Sequence, residues 1–90
     1  MSIDIPENSK QILKDLLESE IKRLNNKVKT LKEELKIYEA KYELNSDEFI
    51  KRFDSGKIGD EEDFFSWYSI YDIMMQVKDK LESLESIKLV

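Results

Sequence analysis

The chain has 90 residues, of which 39% are charged, and it contains two glycines, one proline, no cysteine and no histidine. Without cysteine there can be no disulfide framework or thiolate zinc site. The absence of histidine removes the commonest acid–base group and metal ligand at neutral pH. No signal-peptide core or apolar run of transmembrane length is present, so we expect a cytoplasmic protein with no membrane partner.

A composition rich in Lys, Glu, Leu and Ile is typical of long helices and predicts a single all-α domain without sheet. The charge is unevenly placed. Residues 10–41 carry nine basic and six acidic side chains, whereas residues 43–90 carry six basic and twelve acidic ones. This polarity indicates attraction within or between chains, or alternatively a charged external partner.

The first predicted element is a long helix over residues 8–44, which no glycine or proline interrupts. Its start resembles a capping box formed by Asn8 and Gln11, and Asp4 with Glu7 offers an earlier alternative. Apolar residues then recur at alternating intervals of four and three, and this heptad seam must be buried against another helix. The seam consists of Leu17, Ile21, Leu24, Val28, Leu31, Leu35, Tyr38 and Tyr42.

Two further helices are predicted. The short second helix covers residues 46–55, with Ser46 as its N-cap and Gly56 as the C′ residue beyond its end. The third helix covers residues 61–89 and follows a predicted cap at Asp60. Its first three turns are apolar over most of their circumference, which is more surface than one neighbouring helix covers. Its apolar stripe consists of Trp67, Ile70, Met74, Val77, Leu81 and Leu84.

Two partners for the heptad seam remain open. We favour the third helix of the same chain, which would form an antiparallel helical hairpin with the first across the short helix. The alternative is a second copy of the chain. A parallel dimer places like charges opposite each other, whereas an antiparallel dimer with Val28 opposite Leu31 of the second copy pairs opposite charges. The favourable pairs are Glu20 with Lys41 and Lys27 with Glu34.

No catalytic apparatus or cofactor site is predicted, and we expect a binding protein rather than an enzyme. The acidic run at residues 60–63 has two interpretations, helix capping or a weak site for a hard cation, and we favour capping. The basic residues of the first helix are spread around its circumference, which indicates a solvated face and no direct binding of nucleic acid. They are Lys22, Arg23, Lys27, Lys29, Lys32 and Lys36.

The middle of the chain, about residues 35–70, combines a Tyr-Glu-rich helix end, a Phe-containing acidic turn, a Gly-x-x-Gly-Asp element and an Asp-Phe-x-x-Trp helix start. These elements are Tyr38-Glu39-x-x-Tyr42, Ser46 with Glu48-Phe49, Phe53-Asp54-Ser55-Gly56-Lys57-Ile58-Gly59-Asp60, and Asp63-Phe64-Phe65-x-Trp67. The combination resembles a family of short prokaryotic antitoxin-like proteins, frequent in archaea and cyanobacteria. The resemblance implies a protein that neutralises a small cognate toxin, commonly an RNase or a nucleotidyl-transfer enzyme.

From the resemblance and the aromatic content we predict the surface that contacts the toxin. Its residues are Phe64, Phe65, Trp67, Tyr68 and Tyr71, together with Asp60 and Asp63. Tryptophan and tyrosine are enriched at binding hot spots, although rings at helical spacing also serve as core. An acidic half would suit a basic, RNA-cleaving partner. The alternative function is a self-assembling helical scaffold or adaptor that has no toxin partner.

Overall fold

The computed structural model describes residues 2–3 and 6–89, with side chains over residues 6–87. This part of the chain forms three helices, α1 (Glu7–Tyr42), α2 (Ser46–Asp54) and α3 (Glu62–Glu85). Two strands of two residues each, β1 (Ser2–Ile3) and β2 (Lys88–Leu89), lie before α1 and after α3. The prediction of an all-α chain with three helices is confirmed, and the short strand pair is the exception to it.

The start of α1 differs from the prediction. Pro6 occupies the N-cap position, and its carbonyl oxygen accepts the first helical hydrogen bonds, so Asn8 already lies inside the helix. No side chain caps this end, and Gln11 instead donates a 2.9 Å hydrogen bond to Asp15. The predicted capping box is therefore wrong, and the alternative at Asp4 lies outside the described residues.

The connection from α1 to α2 depends on two local features. Glu43 adopts the left-handed conformation at φ 51°, and α1 ends at Tyr42 rather than at Leu44. Asn45 then caps α2 by accepting a 2.8 Å hydrogen bond from the backbone N–H of Glu48. The predicted cap, Ser46, is instead the first residue of α2, and its side chain points into the core.

The connection from α2 to α3 follows the prediction at its start. Ser55 is the C-cap of α2, and Gly56 follows in the left-handed conformation at φ 71°, which glycine adopts without steric cost. The predicted cap at Asp60 is wrong, because Glu61 occupies the N-cap position of α3 and no side chain caps that end.

The end of α3 is earlier than predicted. The helix stops at Glu85, where the hydroxyl of Ser86 donates a 2.7 Å hydrogen bond to the backbone carbonyl of Ser83. Such local bonds compete with continuation of a helix. The chain then extends as β2 and pairs in parallel with β1, with Ser2 opposite Lys88.

The heptad seam of α1 packs against α3, so the predicted antiparallel hairpin is confirmed. Four seam residues are buried, three pack against the core from its edge, and Leu17 is half-buried beside Ile87. The core combines this seam with the predicted stripe of α3 and one ring from α2. Its buried members are Leu24, Val28, Leu31, Leu35, Phe49, Phe64, Trp67, Met74, Val77 and Leu81.

The two long helices differ in length. α1 has 36 residues and α3 has 24, so the N-terminal turns of α1 extend beyond the end of α3. The molecule is correspondingly elongated, with extents of 56 × 22 × 17 Å. α2 lies at the opposite end, where α1 and α3 are connected, and it covers one side of the hairpin only.

Candidate protein-binding surface

The aromatic cluster at the start of α3 is divided between core and surface. Trp67 is completely buried and Phe64 is 7% exposed, whereas Phe65 is 53% exposed. Tyr68 and Tyr71 are half-buried at the boundary. Phe64 and Trp67 therefore belong to the core, which corrects their predicted place on the partner surface, since a partner cannot reach them in the folded chain.

Trp67 is buried because α1 and α2 both bring aromatic rings to it. The ring of Phe49 on α2 stacks on it with centroids 3.9 Å apart and planes 2° from parallel. Tyr38 and Tyr42 of α1 stack at 5.8 Å. These contacts join the three helices at the closed end of the hairpin and account for much of the aromatic content of the sequence.

A short chain of hydrogen bonds runs through the same region. The Glu39 carboxylate accepts bonds of 2.8 Å from the backbone N–H and from the hydroxyl of Ser46. That hydroxyl accepts a 2.9 Å bond from the indole N–H of Trp67. In the described part of the chain every buried side-chain nitrogen and oxygen has a partner. This chain of bonds fixes the orientation of the helices and presents no unsatisfied group to a ligand.

Asp63 is likewise engaged within the hairpin. Its carboxylate accepts a 2.6 Å hydrogen bond from the hydroxyl of Tyr42 and forms an ion pair with Lys41. The ammonium group of Lys41, followed by the Tyr42 hydroxyl, lowers the pKa of Asp63 below its ordinary value. The pKa of Tyr42 is raised, first because its hydroxyl donates to Asp63. Of the two predicted partner-binding carboxylates, Asp63 is thus occupied, and Asp60 is exposed.

Three rings form an accessible surface where α2 meets α3, and we call Phe53, Phe65 and Tyr68 the aromatic rim. Phe53 contacts Phe65 edge-on at 5.7 Å and lies 4.8 Å from Tyr68 between ring centroids. Phe53 was missing from the predicted partner surface. Phe53 lies near the end of α2, an amphipathic helix of nine residues. This position could have indicated that its ring reaches the edge of the core.

Two acidic side chains, Asp54 and Asp72, lie near the aromatic rim. The charge of Asp54, followed by partial burial, raises the pKa of Tyr68, and Asp72 contributes in the same direction. Basic side chains are also present on the α2 side, where Lys51 and Arg52 precede Phe53. The rim therefore combines apolar rings with two nearby carboxylates.

Tyr71, the remaining member of the predicted surface, lies on the side of α3 that α2 covers. Its hydroxyl donates a 3.0 Å hydrogen bond to Asp47, and burial is the main cause of its raised pKa. Tyr71 thus ties α3 to the first turn of α2, and its polar end is already engaged.

Apolar side chains are also exposed on α1 and on the opposite side of α3. In the N-terminal turns of α1, Ile12 is 61% exposed and Leu16 is 62% exposed. Ile37 is 68% exposed and Ile73 is 42% exposed. Ile37 was not among the predicted surface residues, although an isoleucine one residue away from the heptad seam is a signal of a second apolar face.

Two kinds of site are absent from the part of the chain that the structure describes. No group of three or more acidic side chains is arranged to hold a metal ion there, the run at residues 60–63 included. Over the same residues no helix has the length and apolar character needed to cross a membrane.

Comparisons of the chain with models of protein families, with curated proteins and with solved structures give no match.

Proposed function

We propose that the chain is an antitoxin-like protein that binds and neutralises a small cognate toxin through the aromatic rim and the carboxylates of Asp54 and Asp72 beside it. The observation that carries this proposal is the 53% exposure of Phe65, a large apolar ring held on a regular helix next to two further rings. The resemblance of residues 35–70 to antitoxin-like proteins supports the same role.

The rim has the properties of an anchor for a protein partner. Burying a Phe side chain fully is worth ~1.5–3 kcal/mol relative to leaving it in water. Phe53 and Tyr68 enlarge the apolar area around Phe65. Because all three rings stand on helices that are fixed by the core, little conformational entropy is lost when a partner binds.

The charge around the rim indicates the chemistry of the partner. An enzyme that acts on RNA needs a basic surface for the phosphate backbone. The acidic side chains beside the rim, which include Asp54 and Asp72, complement such a surface. Binding there would also occupy the region that RNA requires, which is a physical route to neutralisation.

Co-expression with the product of the adjacent reading frame tests this function. We expect the two proteins to co-purify as a complex, and we expect the chain to relieve any growth defect that its neighbour causes. The Phe65→Ser variant should lose both properties, because it removes the exposed ring and leaves the core intact. The Ile12→Ser variant is a matched control, since Ile12 is similarly exposed at the far end of α1.

The outcomes are distinct. Loss of the complex in Phe65→Ser and its retention in Ile12→Ser would support the proposed function and its location. The proposal fails if the wild-type chain forms no complex and relieves no growth defect. It also fails if Phe65→Ser binds and protects as well as the wild type.

A further inference from the structure

The hairpin has a second face, on the side away from α2. The shallow groove there is lined by α1 and α3 alone. The groove on the α2 side shares none of its residues. We call the groove away from α2 the open face, and its lining residues are Glu34, Ile37, Tyr38, Lys41, Asp63, Ser66 and Ile70.

The open face displays apolar side chains that the fold leaves uncovered. Ile37 of α1 is 68% exposed, and Ile73, one turn beyond Ile70 on α3, is 42% exposed. A groove with exposed apolar side chains between two antiparallel helices is a surface on which a second helical pair packs in a four-helix bundle. The question is which pair of helices fits it.

The charges of α1 point to a second copy of the same chain. Four charged residues recur every seven positions along one edge of α1, and a spacing of seven residues keeps them on nearly one line. Two of them, Glu34 and Lys41, line the open face. Within the chain, Lys41 also forms an ion pair with Asp63, and Glu20 forms one with Arg23. The signs alternate along the edge in the order Glu20, Lys27, Glu34 and Lys41.

An alternating edge of this kind complements itself in the antiparallel orientation. When the two-fold axis passes between Thr30 and Leu31, each Lys27 lies opposite a Glu34 and each Glu20 lies opposite a Lys41. Symmetry generates each pair twice. Displacement by one heptad in either direction places like charges opposite each other, so the edge favours this register over its neighbours.

The same register brings apolar residues of α3 together. Glu34 and Ile70 line one groove, and Lys80 is close enough to Glu20 to lower its pKa, after the larger effect of Arg23. Along the antiparallel hairpin, residues 30–31 of α1 therefore lie beside about residue 73 of α3. The two-fold axis therefore passes near Ile73, and the two copies of this exposed side chain meet there.

We infer that two copies of this chain associate through their open faces as an antiparallel four-helix bundle, with α1 against α1 and α3 against α3. The inference does not depend on the proposed toxin, because the aromatic rim lies elsewhere on α3. In this dimer the heptad seam of each chain still packs against α3 of the same chain. The dimer therefore adds an interface and keeps the contacts within each hairpin.

Charge reversal on the full-length chain tests both the face and the register. Sedimentation equilibrium should give twice the monomer mass of 10.7 kDa for the wild type. Lys27→Glu and Glu34→Lys should each raise the dimer dissociation constant by about tenfold, because attraction becomes repulsion at two symmetric pairs. The double variant carries both changes, restores opposite charges and should return to within about threefold of the wild type.

A cysteine cross-link gives an independent readout, since the chain has no cysteine of its own. Thr30→Cys should form a disulfide-linked dimer on oxidation, because the two copies of this residue lie next to the axis. Ser19→Cys is the matched control, an exposed residue on α1 far from the axis, and it should remain monomeric on a non-reducing gel. A disulfide requires the two Cα atoms to be within about 7 Å.

Several results would overturn the inference. A wild-type chain that stays monomeric at millimolar concentration excludes the dimer. Single reversals without effect, or a double variant as weak as either single one, exclude the register. If the double variant Ile12→Ser/Leu16→Ser dissociates the dimer and Ile73→Asp does not, the interface lies at the N-terminal turns of α1 instead.

Discussion

The indole N–H of Trp67 donates a 2.9 Å hydrogen bond to the hydroxyl of Ser46, which links α3 to the first residue of α2 inside the core. The hydroxyl donates in turn to Glu39 of α1. One serine thereby connects all three helices at the closed end of the hairpin. This connection holds α2 on one side of the hairpin, so the aromatic rim and the open face are separate surfaces.

Replacing this serine should destabilise the fold. Ser46→Ala leaves the indole N–H of Trp67 buried without an acceptor, which should lower the free energy of unfolding by about 1–3 kcal/mol. Urea denaturation measures the change, and fluorescence of Trp67, the chain's single tryptophan, reports directly on this part of the core.

The control for this prediction is Ser69→Ala. Ser69 is exposed on α3, and its replacement should change stability by at most about 0.5 kcal/mol. If Ser46→Ala proves as harmless as Ser69→Ala, the hydrogen bond does not stabilise the core.

The Asp63–Lys41 pair predicts a dependence of stability on pH. The pKa of Asp63 is lowered in the folded chain from its ordinary value of 3.8. Its charged form therefore stabilises the fold at pH values above the unfolded pKa, and this stabilisation is lost as pH falls through the lowered folded pKa. Asp63→Asn should lower Tm at neutral pH, and its difference from the wild type should shrink below about pH 4.

Thermal unfolding monitored by circular dichroism between neutral and acidic pH measures this difference. Asp60→Asn is the matched control, since Asp60 is exposed and belongs to none of the ion pairs found in the described residues. A Tm difference for Asp63→Asn that is constant over the whole pH range would contradict the electrostatic explanation.

The long-range arrangement of the helices was predictable from the sequence because it depends on periodicity. A heptad seam on α1 and an apolar stripe on α3 must both be buried, and the short α2 between them favours an antiparallel hairpin. The C′ position of Gly56 was also predictable, because a left-handed residue at a helix end is preferentially glycine.

The caps and the division of the aromatic cluster were not predictable in the same way. Asn45 and Ser46 are neighbours with similar capping propensities, and the choice between them depends on the distant Trp67, which binds the serine hydroxyl. Phe64 and Phe65 are adjacent and chemically identical. Phe64 lies three residues before Trp67 on the apolar stripe and packs against Phe49 at 5.6 Å, whereas Phe65 lies off that stripe. The part that periodicity does not give is how far α2 extends over the two rings.

The two glycines give a further prediction about the turn before α3. Gly56 has φ 71°, and no atom lies within 4 Å of an added Cβ, so Gly56→Ala meets only backbone strain. We expect a loss of about 1–2 kcal/mol, the cost of a non-glycine residue in the left-handed region.

Gly59→Ala is the comparison for this backbone effect. Gly59 also has open space around an added Cβ, but its φ lies outside the left-handed range. Its replacement should be neutral or should stabilise the fold by up to about 1 kcal/mol, because the unfolded chain becomes less flexible. Chemical denaturation of both variants measures the difference, and equal losses at the two positions would contradict the assignment of strain to Gly56.

Replacing Phe64 and Phe65, which are adjacent on α3, tests most directly which ring belongs to the core and which to the binding surface. Phe64→Ala should cost about 3–5 kcal/mol, because it leaves a cavity among Tyr42, Phe49 and the rest of the buried cluster. Phe65→Ala should cost no more than about 1.5 kcal/mol, the worth of its edge contact with Phe53. Urea denaturation ranks the two variants. A loss for Phe65→Ala as large as that for Phe64→Ala would place Phe65 in the core and remove it from the aromatic rim as a site for a partner.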